Sequence, residues 1–355
     1  MSLLAGTPAP MFNAPSHVNP EFTFGSLGGR YILLAFLPHP GSERDAAVDL
    51  IVRNAAQFVD EERVFFGVLP DQPSFEEHRA DALPLRWFGD WSGEVRRLLD
   101  AVNAQGELEP QWVVVDPSMR IMGSAPLDKG PAVLANLFRL GHPDQHAGAV
   151  LHAPVLLVPR VLEPALCNQL IELYRVQGGG PSGVMRERDG KTVGVFDDFK
   201  KRRDTTITDA DLLMHLHKRL SNRLAPEIEK AFNFKPTRVE RFIVACYDAQ
   251  EGGYFKAHRD NTTAGTAHRK FAVSINLNAE EFDGGDLRFP EFGSRTYRPP
   301  TGGAVVFSCS LLHEATPVSR GKRYAFLPFL YDDAAAEVRQ RNEHLLESNA
   351  QISEG

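Results

Sequence analysis

Two different hydrophobic patterns follow one another along this chain, and they constrain its fold more than any other feature. In the first half, apolar runs at residues 31–37, 64–69 and 112–115 alternate with helical patterns at 43–56 and 93–102. Strands separated by helices are typical of a layered α/β domain. The first half is therefore predicted to be α/β, and it is assigned to residues 1–145.

The second half becomes β-rich after Phe234. Five candidate strands lie at residues 239–247, 271–277, 286–289, 304–308 and 323–331. Short strands at this spacing predict an antiparallel sandwich or barrel. We expect two helices before them, one over 163–176 and one that begins with a capping box at Thr208-x-x-Asp211.

The segment between the halves, residues 146–153, is rich in Gly, His and Ala and has no hydrophobic period. It is assigned as a linker. The β-rich domain is then expected over 154–335, followed by a polar helical tail over 336–355.

Composition excludes some classes of partner. Lys and Arg number 39 against 46 Asp and Glu, a net charge of −7, which argues against a nucleic-acid binder because such binding depends on neutralising phosphates. No apolar run is long enough to span a bilayer, and the first ten residues carry no export signal. The three cysteines all lie in the second half, and a sparse, odd set fits a reducing compartment. We therefore expect a cytoplasmic protein without a membrane or nucleic-acid partner.

The tripeptide His258-Arg259-Asp260 is the first pattern that carries chemistry. At a strand end, residues i and i+2 point to the same side, so the imidazole and the carboxylate can share one ion. A third ligand must come from elsewhere, and His313, just after the strand at 304–308, is one choice, while His268 and His215 are others. Two His and one carboxylate form the facial triad of non-haem Fe(II) oxygenases.

Two further residues suggest how a ligand would be held. Arg323 opens the apolar strand RYAFLPFLY, and an inward-pointing arginine is costly unless it meets a carboxylate. Tyr247 closes the strand before His258, where its hydroxyl could donate to a ligand carboxylate. The alternatives are an arginine on an edge strand and a tyrosine that packs across strands.

An ordered set of motifs covers this region, H-x-D, then G-G-x-L, then H-x₃-P-V-x₂-G-x-R, within the stretches YDAQEGGYFKAHRDN, FDGGDLRFPEFG and LLHEATPVSRGKRYAF. Over roughly residues 154–332 the chain resembles the prolyl 4-hydroxylase-like group of Fe(II)/2-oxoglutarate dioxygenases. The resemblance implies a double-stranded β-helix, or jelly roll, with flanking helices. It also implies iron and 2-oxoglutarate as cofactor and cosubstrate, O₂ as a reactant, and ascorbate as a candidate reductant.

The resemblance assigns roles residue by residue. His258, Asp260 and His313 would hold Fe(II), and Arg323 would bind the distal carboxylate of 2-oxoglutarate. Tyr247 would touch the cosubstrate, and Asn276 lies on a strand that often lines its pocket. The aspartate at 260 predicts hydroxylation, because relatives that halogenate usually carry a small residue there.

A basic segment, FKKRRD at residues 199–204, precedes the β region. It is either a solvated charged turn or a mobile lid whose Arg203 and Asp204 face the substrate. Arg269, in the loop after the H-x-D, is expected to line the same entrance.

The first half resembles the peroxiredoxin branch of the thioredoxin fold over roughly residues 5–139, through its opening GTPAPMF and the strand end LAFLP. Peroxiredoxins need Pro-x-x-x-Thr-x-x-Cys, but here the stretch reads Pro38-x-x-x-Ser42-x-x-Asp45. Thiol chemistry is excluded because this half has no cysteine. A structural, docking or dimer-forming role is expected, and a homodimer is one possibility.

Two functions remain open from the sequence. The first is a dioxygenase that hydroxylates a small molecule or a peptidyl residue, proline-like or amino-acid-like, with release of succinate and CO₂. The second is a non-catalytic metal-binding or regulatory protein that retains the oxygenase fold. The complete set of His258, Asp260, His313 and Arg323 favours the first.

Overall fold

The polypeptide divides into two units, and each is built around its own hydrophobic core. A computed structural model describes residues 3–188 and 190–346 and the backbone of 352–353. One unit comprises Met1–Ala153 with Pro290–Ser294, and the other comprises Pro154–Phe289 with Arg295–Gly355. The described helices include none long and apolar enough to cross a membrane.

The N-terminal unit alternates strands and helices. Its elements are β1 (Asn13–Ala14), β2 (Phe22–Thr23), β3 (Tyr31–Phe36), α1 (Ser42–Arg53), β4 (Arg63–Leu69), α2 (Gln72–Glu77), β5 (Trp87–Gly89), α3 (Glu94–Leu98), β6 (Gln111–Val115), β7 (Ile121–Pro126) and α4 (Gly130–Leu137). Strands β3 to β7 form one sheet in the order β5-β4-β3-β6-β7. The pairs β3–β4 and β4–β5 are parallel, while β3–β6 and β6–β7 are antiparallel.

The central strand β3 explains why this unit needs layers on both sides of its sheet. Every residue of β3 is buried. Successive side chains of a strand point to opposite faces, so Ile32 and Leu34 enter one core while Leu33 and Ala35 enter another. Helices α1 and α4 cover the second core, and α3 contributes Val95 to the first. The unit is therefore α/β, as its sequence pattern predicts.

The C-terminal unit is rich in sheet. Its helices are α5 (Pro164–Gln177), α6 (Ala210–Arg219), α7 (Ala225–Phe232) and α8 (Asp333–Asn342), with a π-helical turn at Leu220–Leu224 before α7. Its strands are β8 (Leu156–Val158), β9 (Gly180–Pro181), β10 (Val184–Arg188), β11 (Lys191–Phe196), β12 (Lys200–Lys201), β13 (Arg203–Thr206), β14 (Arg238–Glu240), β15 (Ile243–Asp248), β16 (Tyr254–His258), β17 (Phe271–Asn276), β18 (Asp283–Gly284), β19 (Leu287–Arg288), β20 (Thr296–Tyr297), β21 (Ala304–Ser308), β22 (His313–Ala315), β23 (Val318–Arg320), β24 (Lys322–Phe326), β25 (Phe329–Tyr331) and β26 (Ile352–Ser353).

Two antiparallel sheets organise this unit. The larger has the order β14-β25-β17-β24-β15-β13-β9, with β21 and β8 attached beside β17, and the smaller has the order β12-β16-β22-β19-β20. On one face of the larger sheet, side chains such as Val244 and Phe326 pack against Leu170 and Leu216 of the helices. On its other face, Ala245 and Tyr247 share a core with Phe255 and Ala315 of the smaller sheet.

Several predicted elements have different bounds in the structure. The strand expected at 239–247 is two strands, β14 and β15, because Arg241 between them has φ +66°, a left-handed conformation that interrupts a strand. The strand expected at 323–331 is likewise split into β24 and β25, and Pro328 lies in the gap, where it cannot donate to a sheet.

The helix predicted after Thr208 begins one residue later than expected. Asp209, rather than Thr208, is its N-cap, and the Asp209 side chain accepts from the amide of Leu212. Aspartate accepts well at this position. The expected polar tail forms α8, which ends at Asn342, and residues 347–351 and 354–355 of that prediction lie outside the described residues.

Helix α6 offers a matched pair for testing the core. Leu216 is fully buried, whereas Met214 on the same helix is 57% exposed. We expect Leu216→Ala to lower the free energy of unfolding by about 2–5 kcal/mol, because it leaves a cavity. Met214→Ala should change it by less than about 0.5 kcal/mol. Urea denaturation of both variants measures this difference, and equal losses would contradict the described packing.

Candidate functional site

Strand pairing brings two histidines and one aspartate together. His258 ends β16, His313 begins β22, and the two residues are directly opposite each other in the antiparallel register. Asp260 follows β16 by two residues. Its Oδ1 lies 3.5 Å from His258 Nε2, and its Oδ2 lies 3.3 Å from His313 Nε2. One potential ligand atom from each residue lies within 4.8 Å of the others, a group able to hold a metal ion.

The histidine rings are oriented for metal binding by their second nitrogens. His258 Nδ1 lies 2.7 Å from the Lys256 carbonyl oxygen, and His313 Nδ1 lies 3.0 Å from the Leu311 carbonyl oxygen. A carbonyl at Nδ1 fixes the proton there and leaves Nε2 free as a ligand atom. Burial, together with His258, lowers the pKa of His313 to about 4, so its imidazole is neutral at pH 7. Neutral imidazole nitrogen and carboxylate oxygen suit a divalent ion such as Fe(II).

The two other histidines considered from the sequence lie elsewhere. His268 is buried, and its Nε2 lies 2.7 Å from Glu240 Oε2. His215 is exposed on α6. Among the described residues, the structure therefore brings His313, rather than either of these, to His258 and Asp260.

Arg269 lies behind this cluster and not at a surface entrance. It is buried, its Nη2 donates to Glu240 Oε1 at 2.7 Å, and its Nε donates to Glu240 Oε2 at 3.0 Å. Its Nη1 also donates, at 3.4 Å, to the backbone carbonyl of Asp260. Burial alone would raise the pKa of Glu240, but His268 and Arg269 lower it far below its usual value. Arg269 thus fixes the turn that carries Asp260.

The backbone of Cys309 supports the same turn, since the Asp260 amide donates to its carbonyl at 2.9 Å. Cys309 is fully buried, as expected for a packed residue, and so are Cys167 and Cys246. Burial raises the pKa of Cys309 well above its ordinary value, and it raises those of Cys167 and Cys246 to about 11.

Arg323 is buried on β24 without a carboxylate partner. Its Nη2 donates to Ser274 Oγ at 2.7 Å and its Nε donates to Asn276 Oδ1 at 3.2 Å. Among the described residues, no carboxylate oxygen lies within 4 Å of its guanidinium. Burial lowers the pKa of Arg323 from its ordinary value. Asn276, whose amide donates to the Pro299 carbonyl, therefore orients this arginine.

Tyr247 lies beside Arg323 on the neighbouring strand. The two residues are directly opposite each other in the β15–β24 register, and the Arg323 guanidinium carbon is 5.2 Å from the centre of the Tyr247 ring. The Tyr247 hydroxyl accepts from Arg202 Nη1 at 3.4 Å. Tyr247 and Arg323 thus present a hydroxyl and a cation on the same face of the larger sheet.

The structure separates Arg203 from Asp204, the two residues expected to face a substrate together. Arg203 is opposite Cys246 on β15, and its Nε donates to the Gly179 carbonyl. Asp204 is opposite Ala245, whose side chain shares a core with Tyr247. Adjacent residues of a strand point to opposite faces. The basic residue on the Asp204 side is Arg202, which is buried and bonded to both Asp204 carboxylate oxygens at 2.7 and 2.6 Å.

Residues 242–331 match the family model of the 2OG-Fe(II) oxygenase superfamily. The matched stretch contains His258, Asp260, His313 and Arg323, and it is similar to 2OG-Fe(II) oxygenases. A PKHD-type hydroxylase of Synechococcus sp. (strain JA-2-3B'a(2-13)) is 29% identical over 97 residues, which are 26% of this chain and 42% of that protein. A PKHD-type hydroxylase of Cupriavidus metallidurans is 35% identical over 95 residues, 24% of this chain and 42% of that protein. The alignments thus span less than half of each of these two curated relatives. The 2OG-Fe(II) oxygenase superfamily uses Fe(II) and 2-oxoglutarate.

Two solved structures share low similarity with the chain. A Pseudomonas putida prolyl-4-hydroxylase aligns with a TM-score of 0.38 and 18% identity, over 53% of this chain and 95% of that structure. A Trichoplax adhaerens prolyl hydroxylase, in complex with a peptide fragment of the hypoxia inducible factor oxygen degradation domain, aligns with a TM-score of 0.39 and 18% identity. That alignment covers 53% of this chain and 86% of that structure.

The pair of Arg202 and Asp204 predicts a pH dependence of stability. Burial alone would raise the pKa of Asp204, but Arg202 outweighs it and holds the pKa at about 2. An unfolded aspartate titrates near pH 3.9. The stabilisation by this carboxylate is therefore complete above that value and is lost as pH falls towards 2.

We expect Asp204→Asn to lower stability at pH 6 and to flatten the decline between pH 5 and 3, where the unfolded aspartate takes up a proton and the native Asp204 carboxylate keeps its charge. Denaturant unfolding across this pH range measures both effects. Asp198→Asn is the control, because that side chain is 91% exposed in the same segment. A decline as steep in Asp204→Asn as in the wild type would contradict the assignment.

Proposed function

We propose that this protein is an Fe(II)- and 2-oxoglutarate-dependent dioxygenase that hydroxylates a C–H bond. The observation that carries the proposal is Arg323, a buried cation without a carboxylate of its own, in the unit that also holds the two-histidine, one-aspartate cluster. A buried guanidinium is costly unless a carboxylate meets it. A dicarboxylate cosubstrate would supply that group.

In this proposal His258, Asp260 and His313 hold the iron. Their free atoms are two imidazole nitrogens and one carboxylate, which is the donor set of non-haem Fe(II) oxygenases. When bound, Fe(II) with 2-oxoglutarate supplies the oxidation of a C–H bond by O₂, with succinate and CO₂ as products. The Lys256 and Leu311 carbonyls keep both imidazole rings turned towards the ion.

The cosubstrate is held by the face of the larger sheet that carries Arg323. The guanidinium binds the distal carboxylate, in the orientation that Ser274 and Asn276 give it. The Tyr247 hydroxyl adds a hydrogen bond to the same ligand. Asn276 is a positioning residue, since its amide acts through Arg323.

The finer fold assignments are part of the proposal. The C-terminal unit is taken as a double-stranded β-helix over 154–335, and the N-terminal unit as a thioredoxin-like domain of the peroxiredoxin branch over 1–145. Asp45, at the position of the peroxide-reacting cysteine, is exposed in the first turn of α1. With no cysteine before residue 167, the N-terminal unit is proposed to serve structure, docking or dimer formation rather than thiol chemistry.

The substrate is proposed to be a small molecule or a peptidyl residue that is proline-like or amino-acid-like. PKHD-type and prolyl hydroxylases among the relatives support this class. A cytoplasmic location and ascorbate as reductant complete the proposal. The alternative, a non-catalytic metal-binding protein, predicts iron binding without turnover.

Anaerobic titration of the apo-protein with Fe(II) and 2-oxoglutarate tests the iron site and the cosubstrate. We expect the visible charge-transfer band of chelated 2-oxoglutarate to appear in the wild type and to weaken in His313→Ala and in Arg323→Ala. Arg320→Ala is the matched control, because this arginine is exposed on β23 and paired with Asp283. A folded wild-type protein without the band would contradict the proposal.

Succinate formation separates the enzyme from the non-catalytic alternative. With Fe(II), ascorbate and O₂, we expect the wild type to convert 2-oxoglutarate to succinate slowly without any substrate, and His313→Ala to lose this activity. A band without succinate, in the presence of a broad panel of peptides and amino acids, would favour the non-catalytic protein.

A further inference from the structure

The C-terminal unit has more buried positive charge around Arg202 than its own carboxylates neutralise. We call five residues the interior basic cluster: Lys200, Arg202, Arg269 and Arg323, which are buried, and Arg241, which is half-buried. Shared aromatic rings connect them. Lys200 and Arg202 lie over the Phe255 ring, and Arg202 and Arg323 lie over the Tyr247 ring. Arg241 and Arg269 lie over the Phe329 ring. These cations therefore lie around one region of the unit.

Three carboxylates act on this cluster at close range, those of Asp204, Glu240 and Asp260. Asp204 is bonded to Arg202 and Glu240 to Arg269, while Asp260 lies beside the two histidines. Asp286 also acts on Arg323, but it forms its own neutral pair with Arg298. An Fe(II) ion and a 2-oxoglutarate dianion would cancel each other. The region would then retain an excess of about two positive charges, which is costly in a desolvated site.

Arg241 is one cation without a carboxylate. Its guanidinium lies 4.5 Å from the centre of the Phe329 ring, and its Nε and Nη2 donate only long hydrogen bonds, 3.4 and 3.3 Å, to the Leu327 carbonyl. No carboxylate of the described chain forms an ion pair with it within 4 Å. Burial and the nearby Arg202 and Arg269 lower its pKa to about 10.

Lys200 is the second cation of this kind. Its side chain is buried, and its Nζ donates to Ser182 Oγ at 2.7 Å and to the Gly183 carbonyl at 2.9 Å. Both acceptors are neutral. The Nζ also lies 4.8 Å from the centre of the Phe255 ring, which in turn stacks on His258 at 3.5 Å. Burial and the neighbouring Arg202 hold the pKa of Lys200 well below its ordinary value, so a bound anion would stabilise its charged form.

A cavity gives access to this part of the cluster. Lys200, Arg202 and Ser182 line a cavity of about 440 Å³, formed by the strands that precede the H-x-D motif. Lys201 and Arg203 also line it, as do the carboxylates Asp197, Asp198 and Glu251, so its four cations outnumber its three carboxylates. A carboxylate- or phosphate-bearing molecule that entered there would meet Lys200 near the surface. Arg323 is already assigned to the cosubstrate, so Lys200 and Arg241 are the cations left for a second ligand.

We propose that the substrate of this site carries an anionic group, a carboxylate or a phosphate, that Arg241 and Lys200 bind. This inference rests on the proposed function and narrows it from small molecules and peptides in general to acidic ones. A neutral substrate would leave both cations desolvated and unneutralised. An acidic substrate would neutralise the positive charge that the cluster retains after Fe(II) and 2-oxoglutarate have cancelled each other.

The test uses full-length protein loaded anaerobically with Fe(II) and saturating 2-oxoglutarate. Calorimetric titration compares N-acetylproline with N-acetylproline amide, which differ in charge, and inorganic phosphate is the third probe. We expect the acid to bind at least about tenfold more tightly than the amide, a difference of about 1.4 kcal/mol, because only the acid forms charged hydrogen bonds with the two cations. Tighter binding of phosphate than of the acid would assign the site to phosphorylated compounds.

Variants of Arg241 and Lys200 test whether these two residues cause the preference for the acid. Arg241→Gln and Lys200→Gln should each weaken acid binding by about tenfold while leaving the amide unchanged. Arg238→Gln and Lys230→Gln are the controls, because both side chains are exposed, on β14 and α7, and neither lines this cavity. Arg241→Lys keeps the charge and should keep the preference for the acid, which covers the case in which Arg241→Gln does not fold.

Three results would overturn the inference: equal binding of acid and amide, no binding of the acid or of phosphate at millimolar concentration, or a preference that survives both Gln variants. The charge-transfer band of the loaded wild type is recorded in the same samples. If that band is absent, the proposed function fails. If it is present and the preference for anions is missing, only this inference fails.

Discussion

The antiparallel pairing of β16 with β22 is the contact on which the candidate metal centre depends. It places His258 opposite His313, although 55 residues separate them in the sequence. Side chains of directly opposed residues in an antiparallel pair are held about 4.5–5.5 Å apart at their Cβ atoms, which suits two ligands of one ion. A register shift of one residue would turn His313 to the other face of its strand. The turn after β16 completes the set with Asp260.

The two faces of the larger sheet have different roles. Its helix-facing side is apolar and carries the main core of the unit, with Val244 and Phe326 among the residues packed there. Its other side shares a smaller core with the second sheet through Ala245 and Tyr247, and it also carries the hydrogen-bonded pair of Ser274 and Arg323. Strand alternation therefore lets one set of strands stabilise the unit and bind a polar ligand. The packing of the helices compensates for the desolvation of the charged residues.

The sequence was sufficient for the local part of the site and insufficient for its tertiary part. The i, i+2 spacing of His258 and Asp260 predicts that they share a side, and the structure brings them together. The choice of His313 over His268 depends on a strand register that no local pattern encodes. The same strand alternation could have identified Arg202, rather than Arg203, as the basic residue on the Asp204 side.

Other parts of the cluster were beyond sequence analysis for a physical reason. The left-handed conformation of Arg241 breaks a strand where the sequence has neither Gly nor Pro, so the local pattern does not indicate the bend. The break between β24 and β25, in contrast, is indicated by the sequence itself, because Pro328 cannot donate to a sheet. Arg269 was expected to line an entrance because it lies in the loop after the H-x-D motif, but it is buried and bonded to Glu240, 29 residues earlier.

The burial of all three cysteines has a consequence for a protein that would work beside iron and O₂. Peroxides react with the thiolate form of cysteine, and burial keeps Cys167, Cys246 and Cys309 protonated at neutral pH. The thiol nearest Asp260 is thereby also kept from competing as a soft ligand for the ion. In oxidising conditions this chain should keep its thiols reduced. Exposed methionines, such as Met185 and Met214, should be oxidised to sulfoxides first.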